Sequence, residues 1–270
     1  MTHSPEISAA RSTPAAPMAW PALKSEAIRA AAAEPLLRRL LDTAVTQHDD
    51  FAAGIGTLLA HKLADAEVGA APLAEIACAA MRAGAAAAAE ADLLAIVDRD
   101  PAADCLLTPF LHYKGFHALQ AHRVAHWLWN QGRRDAARLL QARTAERLAV
   151  DIHPAVPIGR GVFIDHGTAL VVGETAVIGN DVSILQEVTL GGTGKERGDR
   201  HPKVCDGVLL AAGAKVLGNI VVGRGAKVGA GSVVLRDVPP CATVAGVPAR
   251  IVGWCRDAIP ALAMNQELPE

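Results

Sequence analysis

The sequence predicts an α+β chain, mainly α in its amino-terminal half and all-β in its carboxy-terminal half, with the β half wound as a parallel β-helix. Three observations predict it. Apolar residues recur at helical spacing from Glu26 to about Arg147. After Asp151 that spacing gives way to a six-residue period. Aromatic residues make up only 3% of the chain, so aliphatic side chains must fill its interior.

In chain order, residues 1–24 carry Pro5, Pro14, Pro17 and Pro21 among Ala and Ser and read as a disordered tail. A helical domain follows over 25–148. Leu36, Leu37, Leu40, Leu41 and Val45 form one apolar stripe. Asp49 and Asp50 stand as caps before a second stripe of Phe51, Ile55, Leu58, Leu59 and Leu63. Pro72 is placed to open a third helix with Leu73, Ile76, Ala77 and Ala80 inward. A further helix spans Thr108 to Asn130, with Gly132 as its stop. The β-helix takes residues 149–254. Its aliphatic anchors stand at 152, 158 and 164, then at 172, 178, 184 and 190, then at 210, 216, 222, 228 and 234. Glycine directly follows several of them, as in Ile158-Gly159 and Val228-Gly229. Such hexads form triangular coils in which the anchor points inward. Residues 255–270 are a short tail.

Composition narrows the function. The net charge of −2 argues against an electrostatic nucleic-acid binder. The uncharged run Ala83–Ala89 falls far short of the roughly 20 apolar residues a membrane span needs, and no secretory leader is legible. Five scattered cysteines without a CxxC pair fit free thiols in a cytoplasmic protein. The hexad register breaks before 172 and again between 190 and 210, where the chain reads GGTGKERGDRHPKVCDGVL. Solenoids extrude loops at such breaks, and those loops often line binding faces.

Three stretches carry a resemblance. They are Arg99-Asp100-Pro101 with KGFHALQAHRVAHWLWNQGRR, then VDIHPAVPIGRGVFIDHGTALVVGETAVIG, then VTLGGTGKERGDRHPKV. Together they resemble the serine O-acetyltransferase family, within the left-handed β-helix acyltransferases, over roughly residues 26–254. The resemblance implies a left-handed β-helix and transfer of acetyl from acetyl-CoA to the hydroxyl of L-serine. It implies His166 as general base and Asp151 as the carboxylate that orients it. Residues 151 and 166 are nearly one coil apart, which makes stacking on neighbouring rungs plausible. By the same resemblance Asp100 and Asp165 hold the serine ammonium, Arg200 and His201 its carboxylate, and Glu174 lines the site. CoA would lie along Gly192, Thr193, Ala212 and Gly213, with Lys227 and Arg250 near its phosphates. No metal is implied.

The family is inhibited by cysteine at the serine site, and it builds its sites between β-helices of a trimer that pairs into a hexamer. In the family a terminal isoleucine docks into O-acetylserine sulfhydrylase. This chain ends in Glu270, which lacks that apolar anchor. Gly167 and Ala169 also depart from the family pattern around DH-x-T. An acetyltransferase for homoserine or a sugar is the alternative reading, although a sugar enzyme leaves Asp100 and the RHPK loop unexplained. A zinc lyase on the same fold needs a third histidine, and position 206 is Asp. His122 and His126 have metal-ligand spacing on a helix, but they read as packing or surface residues.

Overall fold

The computed structural model of the chain describes residues 19–194, 197–255 and 259–268. The amino-terminal half holds helices α1 (Ala19–Ala33), α2 (Arg38–Leu41), α3 (Phe51–Leu63), α4 (Ala70–Ala80), α5 (Ala86–Arg99), α6 (Leu107–His112), α7 (Lys114–Asn130) and α8 (Arg134–Leu148). Residues 19–24, expected in the tail, are helical instead. Trp20 and Leu23 are buried, and the Trp20 ring centre lies 6.2 Å from those of Phe51 and Phe110. Pro21 sits in the first turn, where its missing N–H costs nothing.

The stripe over 36–45 does not hold as one face. A tight turn at Pro35–Leu37 swings Leu36 out to 85% exposure, while Leu41 and Val45 are buried. Asp50 does cap α3, accepting a 2.7 Å hydrogen bond from the Ala53 amide. Helix α4 begins two residues before Pro72. The helix expected over 108–130 is two, broken at Tyr113, whose backbone turns extended. Gly132 terminates α7 with φ of 76°.

The carboxy-terminal half contains strands β1 (Val150–Ile152), β2 (Phe163–Ile164), β3 (Leu170–Val172), β4 (Val177–Ile178), β5 (Ser183–Ile184), β6 (Thr189–Gly191), β7 (Lys203–Val204), β8 (Leu209–Leu210), β9 (Lys215–Leu217), β10 (Val221–Val222), β11 (Lys227–Val228) and β12 (Val233–Val234). They pair in parallel as β1-β3-β6-β9-β12 on one face, β4-β7-β10 on the second and β2-β5-β8-β11 on the third. A terminal hairpin of β13 (Ala242–Gly246) and β14 (Ala249–Trp254) closes the third face. This is a left-handed β-helix, and the predicted anchors from Ile152 to Val234 fill its core, all buried except the half-buried Ile158.

Both register breaks are coil insertions. Val150 pairs with Leu170, twenty residues on, whereas Val171 pairs with Thr189, eighteen on. Thr189 then pairs with Lys215, twenty-six on, so the glycine-rich charged loop is extruded between β6 and β7. The tail after 254 is not free: α9 (Pro260–Ala263) buries Ala261 against Leu185 and Leu209. Residues 1–18 and Glu270, with the expectations placed on them, lie outside the described residues.

The two halves are keyed together at Asp92 on α5. Its fully buried carboxylate accepts from Arg123 at 2.7 and 2.9 Å, from Gln120 at 3.0 Å and from the Val162 amide at 2.9 Å. Gly115 opens α7 so closely against the first coil that an added Cβ would stand 2.0 Å from the Ile164 carbonyl oxygen.

Candidate active site

Helix α5 ends at the Asp100-Pro101 step, since proline disfavours helical backbone in the residue before it. Asp100 is thereby left half-buried in the turn facing the first coil. Tyr113, at the break between α6 and α7, hydrogen-bonds to it. Burial, that bond and the charge of Asp165 push the Tyr113 hydroxyl up to about 12, so it stays a donor. Asp165 and His166 come from the corner after β2, where the two-residue insertion forces φ of 54° at His166 and 71° at Gly167. His166 Nε2 stands 3.7 Å from Asp165 Oδ1, with the imidazole largely exposed. Burial raises the Asp165 carboxyl, His166 opposes that, and Asp100 adds to it. Lys114 of α7 donates to the Thr168 hydroxyl and ties this corner to the helical half. An exposed imidazole therefore stands beside Asp165, whose carboxylate in turn feels the charge of Asp100 from the helical half.

A second group occupies the next corner, at the other end of the β1 face. Arg200 donates to Glu174 at 2.9 Å, which holds the Glu174 carboxyl below its usual range. His201 is buried with its ring packed on Gly173, where an added Cβ would lie 2.0 Å from Nε2. Its Nδ1 accepts from the Thr175 amide at 3.2 Å, leaving Nε2 to carry the proton. Burial, then the neighbouring Arg200 and Lys203, lower the His201 imidazole. It is therefore a neutral donor beside a guanidinium, a pairing suited to a carboxylate. Gly192 adjoins it, since a Cβ there would meet His201 Nε2 at 3.6 Å.

Asp151 does not stack on His166. The strand in register with Asp151 places Val171 opposite it, and His166 lies at the corner before that strand. Among the described residues no hydrogen bond joins the two, and Asp151 Oδ1 instead accepts from Gln141 at 2.7 Å. Asp151 lies midway along β1, between the two corners, and its charge is felt by His153. Nor does any hydrogen bond or ion pair among the described residues link Asp100, Asp165 and His166 to Glu174, Arg200 and His201. Within one chain the two groups stand at separate corners of the same face.

The residues assigned to CoA are dispersed. Gly192 and Thr193 stand at the Arg200 corner. Ala212 and Gly213 form the corner two coils above the His166 one, where the Gly213 amide donates to the Gln186 carbonyl at 2.9 Å. Lys227 is buried, its ammonium donating to the Glu267 carbonyl, and burial lowers its affinity for a proton; it is no solvated phosphate anchor. Arg250 is exposed on β14 and donates to the Ala249 carbonyl.

Two participants escaped the sequence reading. Tyr113 is the sole tyrosine in an aromatic-poor chain, which was a usable signal. His153, inside the DIHP run, packs its ring 5.1 Å from Trp129 and faces Glu174; only the fold places it there. His122 and His126 are packing residues, each bonded to a backbone carbonyl of the 154–156 turn. Among the described residues no cluster of three or more potential metal ligands occurs, and no helix is long and apolar enough to cross a membrane.

Residues 19–121 match the family described as serine acetyltransferase, N-terminal, and residues 201–236 match bacterial transferase hexapeptide (six repeats). Serine acetyltransferase of Escherichia coli is 53% identical over 92% of this chain and 91% of its own length. A solved serine acetyltransferase in complex with cysteine superposes with a TM-score of 0.90 at 50% identity, covering 92% of this chain and 98% of that one. The serine acetyltransferase of Brucella abortus in complex with coenzyme A gives 0.85 at 47% identity, covering 87% and 95%. Identity of this extent runs through both halves of the molecule, and the chain belongs to the serine acetyltransferase family.

Proposed function

We propose that the chain transfers acetyl from acetyl-CoA to the hydroxyl of L-serine, releasing O-acetyl-L-serine and CoA for cysteine biosynthesis, by direct attack without an acyl-enzyme. The observation that carries this reading is the pair of carboxylates, Asp100 and Asp165, beside the exposed imidazole of His166. Two acidic groups suit an ammonium, and a base at their edge suits the hydroxyl two carbons away. His166 takes the proton as the oxygen attacks the thioester carbonyl, and it returns the proton to the departing thiolate.

The substrate carboxylate goes to Arg200 and to the Nε2 proton of His201. These lie on the other corner, so we assign each complete site to a seam between two copies. The 165–168 corner of one prism meets the corner of 173–175 and 199–201 on the next, and three such seams close a trimer. Asp151, standing between the corners, is positioned to steady the imidazolium once the seam has formed. CoA would run along the same seam past Gly192 and Thr193. Ile28 and Leu36 expose apolar surface on the helical half, at 56% and 85%, which supports pairing of trimers there. Cysteine fits the serine subsite because it differs only in sulfur for oxygen, and a relative solved with cysteine supports it as an inhibitor.

A thiol-release assay with acetyl-CoA tests the reading against serine, homoserine and sugars. CoA release with serine, reduced by about 10²–10⁴ in His166→Asn, is expected. Release with another acceptor and none with serine would overturn it.

A further inference from the structure

The terminal hairpin carries a feature that acetyl transfer does not use. Ala242 pairs with Trp254 and Thr243 with Gly253, so the register sets Cys241 directly opposite Cys255 at the open end. The Cys255 amide donates to the Cys241 carbonyl at 2.7 Å. Directly opposed residues of an antiparallel pair have Cα atoms about 4.5–5.5 Å apart and side chains on the same face, within the span a disulfide bridges. Cys241 is exposed, and Cys255 is half-buried behind it. Both are reduced in this structure.

We propose that Cys241 and Cys255 form a redox-active dithiol that closes to a disulfide on reaction with small-molecule disulfides, pinning the base of the terminal hairpin. The Cys241 thiolate, on the exposed sulfur, attacks one sulfur of RSSR and expels RS⁻. The Cys255 thiolate then attacks the Cys241 sulfur of the mixed disulfide and expels the second RS⁻. Two cysteine thiols are oxidised, one RSSR is reduced to two RSH, and the two cysteine protons end on the two released thiolates.

Burial and the adjoining Cys241 sulfur push the Cys255 thiol up to about 11, which fits a second, resolving thiol rather than the first to attack. Among the described residues the remaining cysteines have no such partner. Cys78 lies near the Ala53 carbonyl and Cys105 shares a hydrogen bond with Thr108. Burial, then the Asp206 charge, raises the Cys205 thiol and makes it a poorer nucleophile. The location gives closure a structural consequence. Beyond Cys255 the chain returns as residues 259–268, which accept from Ser183 Oγ at the Ala261 carbonyl and cover Lys227. A closed bond would hold Cys255, the last described residue before that segment, to the base of the hairpin.

The test treats the reduced, folded full-length chain with glutathione disulfide. Two of its five thiols should be lost, with the mass falling by about 2 Da per chain, and a non-reducing tryptic digest should link peptide 237–250 to peptide 251–256. Cys241→Ser and Cys255→Ser should each lose the cross-link, and Cys255→Ser should instead retain glutathione on Cys241. Five thiols left unreacted, stable glutathione adducts on both cysteines of the wild-type chain, or a cross-link to any other cysteine would overturn the proposal.

Discussion

At the residue scale, the chemistry depends on which groups are charged beside a small zwitterion. Burial and the charge of Asp100 both work against ionisation of Asp165. A carboxylate so raised is lost as a cation partner at a higher pH than an ordinary aspartate. Serine binding should therefore weaken as pH falls through that raised range. Asp100→Asn should raise the KM for serine at neutral pH by about tenfold or more, since a charged hydrogen bond is worth about 1.5–3 kcal/mol. It should also move the acid limb of serine binding to lower pH, because one opponent of Asp165 ionisation is gone; calorimetric titration across pH measures both. Gly173→Ala tests the other corner. A Cβ there would collide with the His201 ring. A rise in serine KM well above any change in the KM for acetyl-CoA is the expected steady-state result.

At the element scale, α7 links the helical core to the first coil. His117 and His122 lie on it fully buried, and burial above all holds both down to about 3. The Nε2 proton of each goes to a backbone carbonyl, of Phe110 and of Val156. A folded-state value depressed below about 6.5 leaves stability intact above that pH. Below it the unfolded chain takes up protons that the folded chain refuses. Stability should therefore fall from about pH 6.5 toward about pH 3, by up to about 1.4 kcal/mol per pH unit for each histidine. Denaturant titrations at several pH values, with His122→Gln removing one proton from that slope, would measure it. In the first turn of the same helix, Gly115 leaves room only for hydrogen against the Ile164 carbonyl. Gly115→Ala should lower stability by about 1–3 kcal/mol, read as a lower denaturation midpoint.

At the scale of the whole molecule, the proposed seam makes a prediction that a single-chain site would not. Chains carrying His166→Ala keep the Arg200 corner intact, and chains carrying Arg200→Ala keep the His166 corner. Each homotrimer should be nearly inactive. Trimers reassembled from an equal mixture should recover about one quarter of wild-type activity, because one seam in four joins two intact corners. Recovery absent from trimers shown to be mixed would place the site within one chain.

Much of the fold was legible because a repeating core imposes a repeating sequence. Ile164, Ile184 and Leu210 all had to be aliphatic to fill one edge of the prism, so the hexads, and with them the parallel coil, were readable. Asp50 announced its helix because a cap is a local device. The motif residues Asp100, Asp165, His166, Glu174, Arg200 and His201 were likewise nameable from short runs. Their grouping was not. The pairing register sets Val171 opposite Asp151 and leaves His166 at the preceding corner, five residues away. The buried Lys227 looked like any surface lysine until the carboxy-terminal segment folded over it. Helix α1 began earlier than its proline-rich flank suggested because the Trp20 contacts with Phe51 and Phe110 span long stretches of chain. Sequence by itself determined the coil, the helical half and the chemical repertoire, since those follow from local periodicity and side-chain type. Only the tertiary structure decided which charges meet and that they fall into two corners, because contacts between distant residues depend on the accumulated register of every coil between them.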